Sequence, residues 1–212
     1  MSGPRGYLLV TMEPPPAMEE EFNDWYDDEH LPERSAIEGF DTSLRYVCVN
    51  GWPRYLAFYD LRDAQVLEES GYKAVSGNHF SPWSKRILPR LRGQYRAAGD
   101  QVYPGQARAQ PCSRLLMLRF RNAGASAQDV VIGGTRELFE GQPGVAQVRV
   151  FRYDHSDTSD FIAMVEASRP FDLPALQLDR FRDATSTLDL INEYVQHWVR
   201  GHLPGVYDAQ AH

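Results

Sequence analysis

The stretch "PGVAQVRVFRYDH", residues 143–155, decides the fold once it is set beside "EGFDTSLRYV", residues 38–47. In both, a turn with glycine ahead of an apolar residue opens a run that alternates as a β-strand does. Two openings of this kind in a chain of 212 residues point to an internal repeat. Reading outward from them tests that idea.

Upstream of the first opening, "GYLLVTMEP" (6–14) is a short apolar run ended by prolines, a buried strand. "AMEEEFNDWYDDEHL" (17–31) sets Met18, Phe22, Trp25, Tyr26 and His30 at three- and four-residue spacings, which is helical periodicity. A strand over 40–49 is joined by the turn signal "NGWP" to another over 54–61. A helix over 63–75, a short helix within 81–93 and a strand over 94–104 complete the first half. The second half repeats the order: strand 113–121, helix 126–141 with Ser126 as its cap and Gly141 at its end, strands 143–155 and 160–168, a mostly helical 173–190, and a final strand 193–200.

Both halves therefore read β-α-β-β-α-β, the split-βαβ, ferredoxin-like pattern. The expected fold is α+β, with two tandem ferredoxin-like repeats whose bare sheet faces pack on each other as an intrachain, pseudo-dimeric α+β barrel. The first repeat spans 1–104, a Gly-, Pro-, Ala- and Gln-rich linker 105–112, the second repeat 113–201 and a tail 202–212. Two independent domains on a string are less expected, because each half alone is small for the sheet it exposes.

Composition narrows the function. Hydrophobic residues are 42% and charged residues 24%, as in ordinary globular proteins. A net charge of −7 repels phosphate backbones and anionic lipid, so neither nucleic acid nor membrane is an expected partner. No apolar run reaches the roughly 18–20 residues of a membrane span, and the five-residue apolar stretch before Pro14 is too short for a signal peptide. Cys48 and Cys112 show no metal spacing and no disulfide framework, so a cytoplasmic setting is expected.

The chemistry concentrates in "DWYDDEHLPE" (24–33). Pro32 places the helix end at or near His30. A histidine there meets the negative end of the helix dipole, which favours its protonated form; Asp27, Glu29 and Glu33 push the same way, and a carboxylate can fix the ring tautomer. Tyr26, one turn earlier, shares the face of His30, and Phe22 lies a turn further back. Such a stripe points a proton-transfer group past aromatic walls. The bland alternative is a helix-end histidine that only stabilises the dipole. The acidic run reads as a solvated face and not as a metal site, since neighbouring helical residues point in different directions. Tyr46, Tyr55 and Tyr59 lie on the second and third strands, where one face fills the core and any of them can line a pocket. "VIGGTRE" is neither a P-loop nor a dinucleotide fingerprint, so nucleotide cofactors are not expected.

"EFNDWYDDEHLPERSAIEGF" followed by "RYLAFYDL" resembles the EthD-like branch of the dimeric α+β barrel superfamily, through Trp25, Tyr26, His30, Pro32, Gly39 and Phe40. "NHFSPWSKR", with Pro82 and Trp83, is also similar to that branch. The resemblance covers residues 6–103; the second half follows in element order only, and "GGTRELFEG" stands where the motif histidine would be. The superfamily includes lactone isomerases, cyclases, dehydratases, cofactor-free oxygenases and haem proteins. The resemblance implies a cofactor-independent enzyme with one site per chain, of lyase, isomerase or cyclase type, acting on a small carbonyl- or lactone-containing molecule. His30 is the expected general acid/base and Tyr26 and Glu29 its catalytic partners. Phe22, Trp25, Tyr46, His79 and Trp83 are expected to bind substrate, with His79 and Trp83 closing the pocket. No metal and no cofactor is expected, a homodimer is allowed, and an oxygenase of electron-rich aromatics or a non-catalytic small-ligand binder are the alternatives.

Overall fold

A computed structural model describes residues 3–124 and 126–197. Eight antiparallel strands close into one barrel: β1 (Gly6–Glu13), β2 (Leu44–Asn50), β3 (Tyr55–Leu61), β4 (Arg92–Tyr103), β5 (Arg114–Ala123), β6 (Val145–Asp154), β7 (Ser159–Ala167) and β8 (Leu188–Gln196). Around the barrel the order is β1-β3-β2-β8-β5-β7-β6-β4, returning to β1. The two halves meet edge to edge as well as face to face: β2 pairs with β8, Val47 opposite Val195, and β4 pairs with β6, Gln101 opposite Phe151.

Strand alternation divides the apolar residues between two surfaces. Tyr7, Leu9, Leu56 and Phe58 face inward and meet Leu115, Met117, Ile162 and Met164 of the other half. Leu8, Met12, Ala57 and Tyr59 face outward beneath the first half's helices, and Leu116, Leu118, Ala163 and Val165 beneath the second's. Being covered on both faces explains why "LLMLRF" is apolar almost without interruption. Gly144, directly before β6, and Gly39, five residues before β2, have φ of +85° and +91°, a region that side chains resist; β2 begins at Leu44 and not at residue 40 as expected, with Phe40 making only an isolated bridge to Leu61.

On the outer face of the first half, α1 (Glu19–Trp25) runs through a π turn (Tyr26–His30) into α2 (Leu31–Ser35). The helix thus continues past Pro32, contrary to the sequence expectation. Pro32 cannot donate to the i−4 carbonyl and would crowd it; the wider π turn, in which Leu31 N–H bonds Tyr26 O, resolves the conflict. Short helices α3 (Ser70–Lys73) and α4 (Pro82–Ile87) cover the rest of that face. The second half is covered by α5 (Ala127–Phe139) and by 3₁₀ turns over Leu173–Ala175 and Leu178–Thr187. The helix expected over 173–190 is therefore 3₁₀ up to Thr187, with Arg182 at φ +48°, and Leu188–Leu190 belong to β8. β4 begins two residues earlier than expected. The end of the expected last strand beyond residue 197, and the tail with His202 and His212, lie outside the described residues.

The segment between β4 and β5 is fastened to one barrel end. Asp60 Oδ2 accepts from Ala109 N–H at 2.7 Å and Glu166 Oε2 from Gln110 N–H at 3.0 Å. Between these fully buried carboxylates lies Arg149, bonded to Asp60 at 2.7 Å and to Glu166 at 2.6 Å.

Candidate active site

A cavity of about 310 Å³ lies between α1–α2 and the outer face of β1, β3 and β4. Leu8, Val10 and Met12 form its floor, Tyr59 rises from β3, and Tyr72, Phe80, Leu88 and Leu91 close its sides. The helix contributes Trp25, Tyr26, His30 and Arg34; Gln94 and Arg96 stand at the rim. It is a mostly apolar chamber with a few polar groups, the usual form of a small-molecule site.

The π turn sets the geometry of His30. In a regular α-helix five residues advance roughly 140° beyond a full turn, so residues 25 and 30 would diverge. Here the imidazole of His30 stacks on Trp25, with centroids 4.4 Å apart and planes at 30°, and meets Tyr26 edge-on at 5.1 Å. His30 is buried, and its Nδ1 has no hydrogen-bond partner among the described residues.

Its charge state reverses the sequence expectation. Burial, then Arg34 and Arg45, hold its pKa well below the usual histidine value, so the ring is neutral. Two of the three carboxylates expected to raise it, Asp27 and Glu29, are engaged elsewhere, and Glu33 is not among the groups that set its pKa. Asp27 pairs with Arg45 at 2.6 Å, and Arg45 also bonds Asn23 at 2.8 Å and lies 4.3 Å over the Tyr26 ring. Glu29 accepts hydrogen bonds from Ser81 and Ser84, at the start of α4, and not from His30. Burial raises the pKa of Tyr26 and, further, of Tyr59, so both stay protonated donors. The Tyr59 hydroxyl lies close to that of Tyr26 but has no well-formed hydrogen bond.

The structure thus brings His30, Tyr26 and Trp25 together on one cavity. Phe22 is buried behind Tyr26, with ring centroids 5.3 Å apart, and supports the wall without lining it. Tyr46 is not at this site: strand parity turns it into the barrel interior with Leu44, while Arg45 points to the helix. His79 is exposed and outside the cavity, and its neighbour Phe80 lines it instead. Trp83 packs half-buried against the same apolar cluster but does not reach the lining. Arg34, Tyr72, Phe80 and Arg96 were not read from sequence. Arg34 is four residues beyond His30, on the same stripe, and the assumption of a helix end at Pro32 removed it.

In the second half an aromatic side chain packs directly between α5 and the sheet. Phe181 packs onto Gly134 of α5, where an added Cβ would lie 2.6 Å from the Phe181 ring, and onto Phe120 at 4.8 Å. Among the described residues, no three His, Cys, Asp or Glu side chains converge as a metal site would require, and no helix is long and apolar enough to cross a membrane.

No family model matches this chain, and no curated protein matches it. Solved structures do. An anthrone oxidase-like protein aligns with a TM-score of 0.66 at 14% identity, over 96% of this chain and 94% of its own. A candidate monooxygenase from Lactobacillus acidophilus aligns at 0.55 and 9% identity, over 91% and 94%. A heme-binding protein from Thermus thermophilus aligns at 0.53 and 11% identity, over 92% and 91%. The shared fold is the dimeric α+β barrel. The haem of the last comparison invites a test of His30 as an iron ligand. Metal-bound histidines donate their second ring nitrogen to a partner that orients them; Nδ1 of His30 has no such partner among the described residues, and Trp25 covers one ring face. The residues do not fit that role.

Proposed function

We propose that the chain is an EthD-like, cofactor-independent enzyme of acid–base type, cytoplasmic, with one site, in its first repeat. The observation that carries this reading is a neutral, buried histidine with an unengaged ring nitrogen inside an apolar cavity. A neutral imidazole shielded from water is a competent general base near neutral pH. Tyr26 and Tyr59, held protonated, supply hydroxyl donors for an oxygen that gains charge as the proton leaves. The reaction class is isomerisation, cyclisation or elimination on a small carbonyl- or lactone-containing molecule. Glu29 acts at a distance, by holding α4 and its neighbour Phe80 against the cavity.

The test is hydrogen–deuterium exchange of a panel of small aryl ketones and unsaturated lactones in D₂O, followed by NMR. The wild-type protein accelerates exchange of an acidic C–H, and His30→Gln loses that acceleration by about 10²–10⁴-fold while keeping its fold. Equal exchange by both proteins removes His30 from the mechanism. A second reading, oxygenation of an electron-rich aromatic, is favoured by the aromatic walls and by likeness to the anthrone oxidase-like protein. Dependence of turnover on dissolved oxygen separates the two.

A further inference from the structure

Four arginines are buried among the described residues: Arg34, Arg45, Arg119 and Arg149. Three of them meet carboxylates. Arg149 bonds Asp60 and Glu166, Arg45 bonds Asp27, and Arg119 bonds both oxygens of Asp189 at 2.8 Å. Arg34, only 2% exposed, forms no ion pair among the described residues. Its Nη2 donates to the carbonyl of Val75 at 2.8 Å, and its guanidinium lies 5.1 Å over the Tyr72 ring and 6.0 Å from that of Phe80. Its Nη1 is buried with no partner. Glu33 lies within its field without pairing to it.

Guanidinium does not deprotonate in proteins, so this charge cannot be escaped by titration. An ion taken from water without a counter-charge is costly, which is why the other three arginines are paired. Arg34 lines the cavity, and the cavity's other ionisable groups are His30, Arg96 and tyrosines; no Asp or Glu is among the lining residues. In a chain of net charge −7, this chamber concentrates positive charge without acidic company. Its walls are the rings of Trp25, Tyr26, Tyr59, Tyr72 and Phe80, and its volume is at the small end of ligand cavities.

We infer that the cavity takes a small unsaturated organic carboxylate, one of whose oxygens accepts from Arg34 Nη1 and supplies the counter-charge the protein withholds. The flat body of the ligand lies among the aromatic rings, and its reactive end reaches His30. Arg34 is then the residue that selects an anion over a neutral molecule of the same shape. This rests on the reading of the cavity as a small-molecule site, and not on His30 being a base.

The test is calorimetric titration of the full chain with benzoate and 2-naphthoate against their neutral amides, alongside thermal denaturation. The wild-type protein prefers each carboxylate to its amide, and the carboxylate alone raises Tm. Arg34→Gln weakens carboxylate binding by about ten- to a hundred-fold and leaves amide binding unchanged. Its own Tm without ligand changes little, because removal of the uncompensated charge offsets the lost bond to the Val75 carbonyl and the lost contact with the Tyr72 ring. His30→Gln keeps the carboxylate preference, so loss of catalysis in that variant is separable from loss of charge selection. The inference is overturned by equal binding of carboxylate and amide, by absence of binding of any probe, or by a carboxylate preference that survives in Arg34→Gln. A lower Tm of ligand-free Arg34→Gln together with unaltered selectivity makes Arg34 structural.

Discussion

The imidazole of His30 lies face-on against the indole of Trp25, five positions earlier in the chain, with ring centroids 4.4 Å apart. Only the π turn lets those two positions share a face, and Pro32 is the residue a regular helix would have refused at that place. A single helical irregularity therefore sets both the burial of His30 and its aromatic backing, and the electrostatics follow from that burial.

Stability and activity should both register the depressed pKa of His30. As the pH falls below the ordinary histidine value, the unfolded chain takes up a proton that the folded chain, held back by burial and by Arg34 and Arg45, refuses. Folding stability is therefore complete above about pH 6.5 and declines as the medium is acidified toward the folded-state pKa. His30→Gln flattens that part of the Tm–pH curve. Asp27, Glu29 and Glu33 are present in both proteins, so the difference curve isolates the histidine. The acid limb of turnover lies well below the usual histidine range for the same reason. An acid limb at about pH 6.5 would show that burial does not govern the ring, and one above it would show a carboxylate paired with the ring.

Ser84 ties three elements together. It is fully buried, accepts from Trp25 Nε1 at 3.1 Å, and donates to Glu29 at 3.3 Å. Ser84→Ala leaves a buried indole N–H without a partner, and a loss of about 1–3 kcal/mol is expected in urea denaturation. Glu29→Gln keeps part of the contact and costs less. Turnover should fall in Ser84→Ala with a rise in KM, because α4 and Phe80 form the cavity wall, while the acid limb stays with His30.

The Asp60–Arg149–Glu166 triad joins β3 of one half to β6 and β7 of the other, with all three side chains fully buried. Arg149→Met strands two carboxylates and should cost about 3–5 kcal/mol. Replacing all three by apolar residues of similar volume should recover much of that loss, measured as urea midpoints, even though Ala109 and Gln110 then lose their acceptors.

Gly134→Ala tests the close packing of Phe181 on α5. The added methyl meets Phe181 Cδ1 at 2.6 Å and the Arg180 carbonyl at 3.0 Å. Overpacking of this kind costs about 1–3 kcal/mol. Activity per folded molecule should be unchanged, since the candidate cavity is lined only by residues of the first half.

The eight strands were legible along the chain because alternation and glycine turns are local signals, and both glycines of the repeated opening, Gly39 and Gly144, have positive φ. β8 was placed late because 173–190 was read as mostly helical up to the residues that open it, whereas 3₁₀ turns, Pro174 and the positive φ at Arg182 break that stretch. At the site, Phe22, Tyr26 and His30 were visible as one stripe, but Arg34 was cut off by trusting Pro32 as a terminator. The charge of His30 was misjudged for a physical reason. Sequence displays the acidic neighbours at 27, 29 and 33, whereas the groups that decide its pKa are burial and two arginines, one of them brought from β2 by the fold. Tyr46 was misplaced because neighbouring strand positions 45 and 46 are equally plausible on either face until the helix is docked.

Closure of the barrel has a consequence for self-recognition. Every strand among the described residues has a hydrogen-bonded neighbour on each side, so no strand is left as a free edge for a foreign strand to extend along its whole length. The usual route to edge-to-edge aggregation is thereby shut without charged gatekeepers or prolines along an edge. Among the described residues, pairing of whole molecules would then rest on side chains, and the largest exposed apolar ones, Val49 and Trp52, lie on β2 and the turn after it, where point substitutions would tune it without opening the barrel.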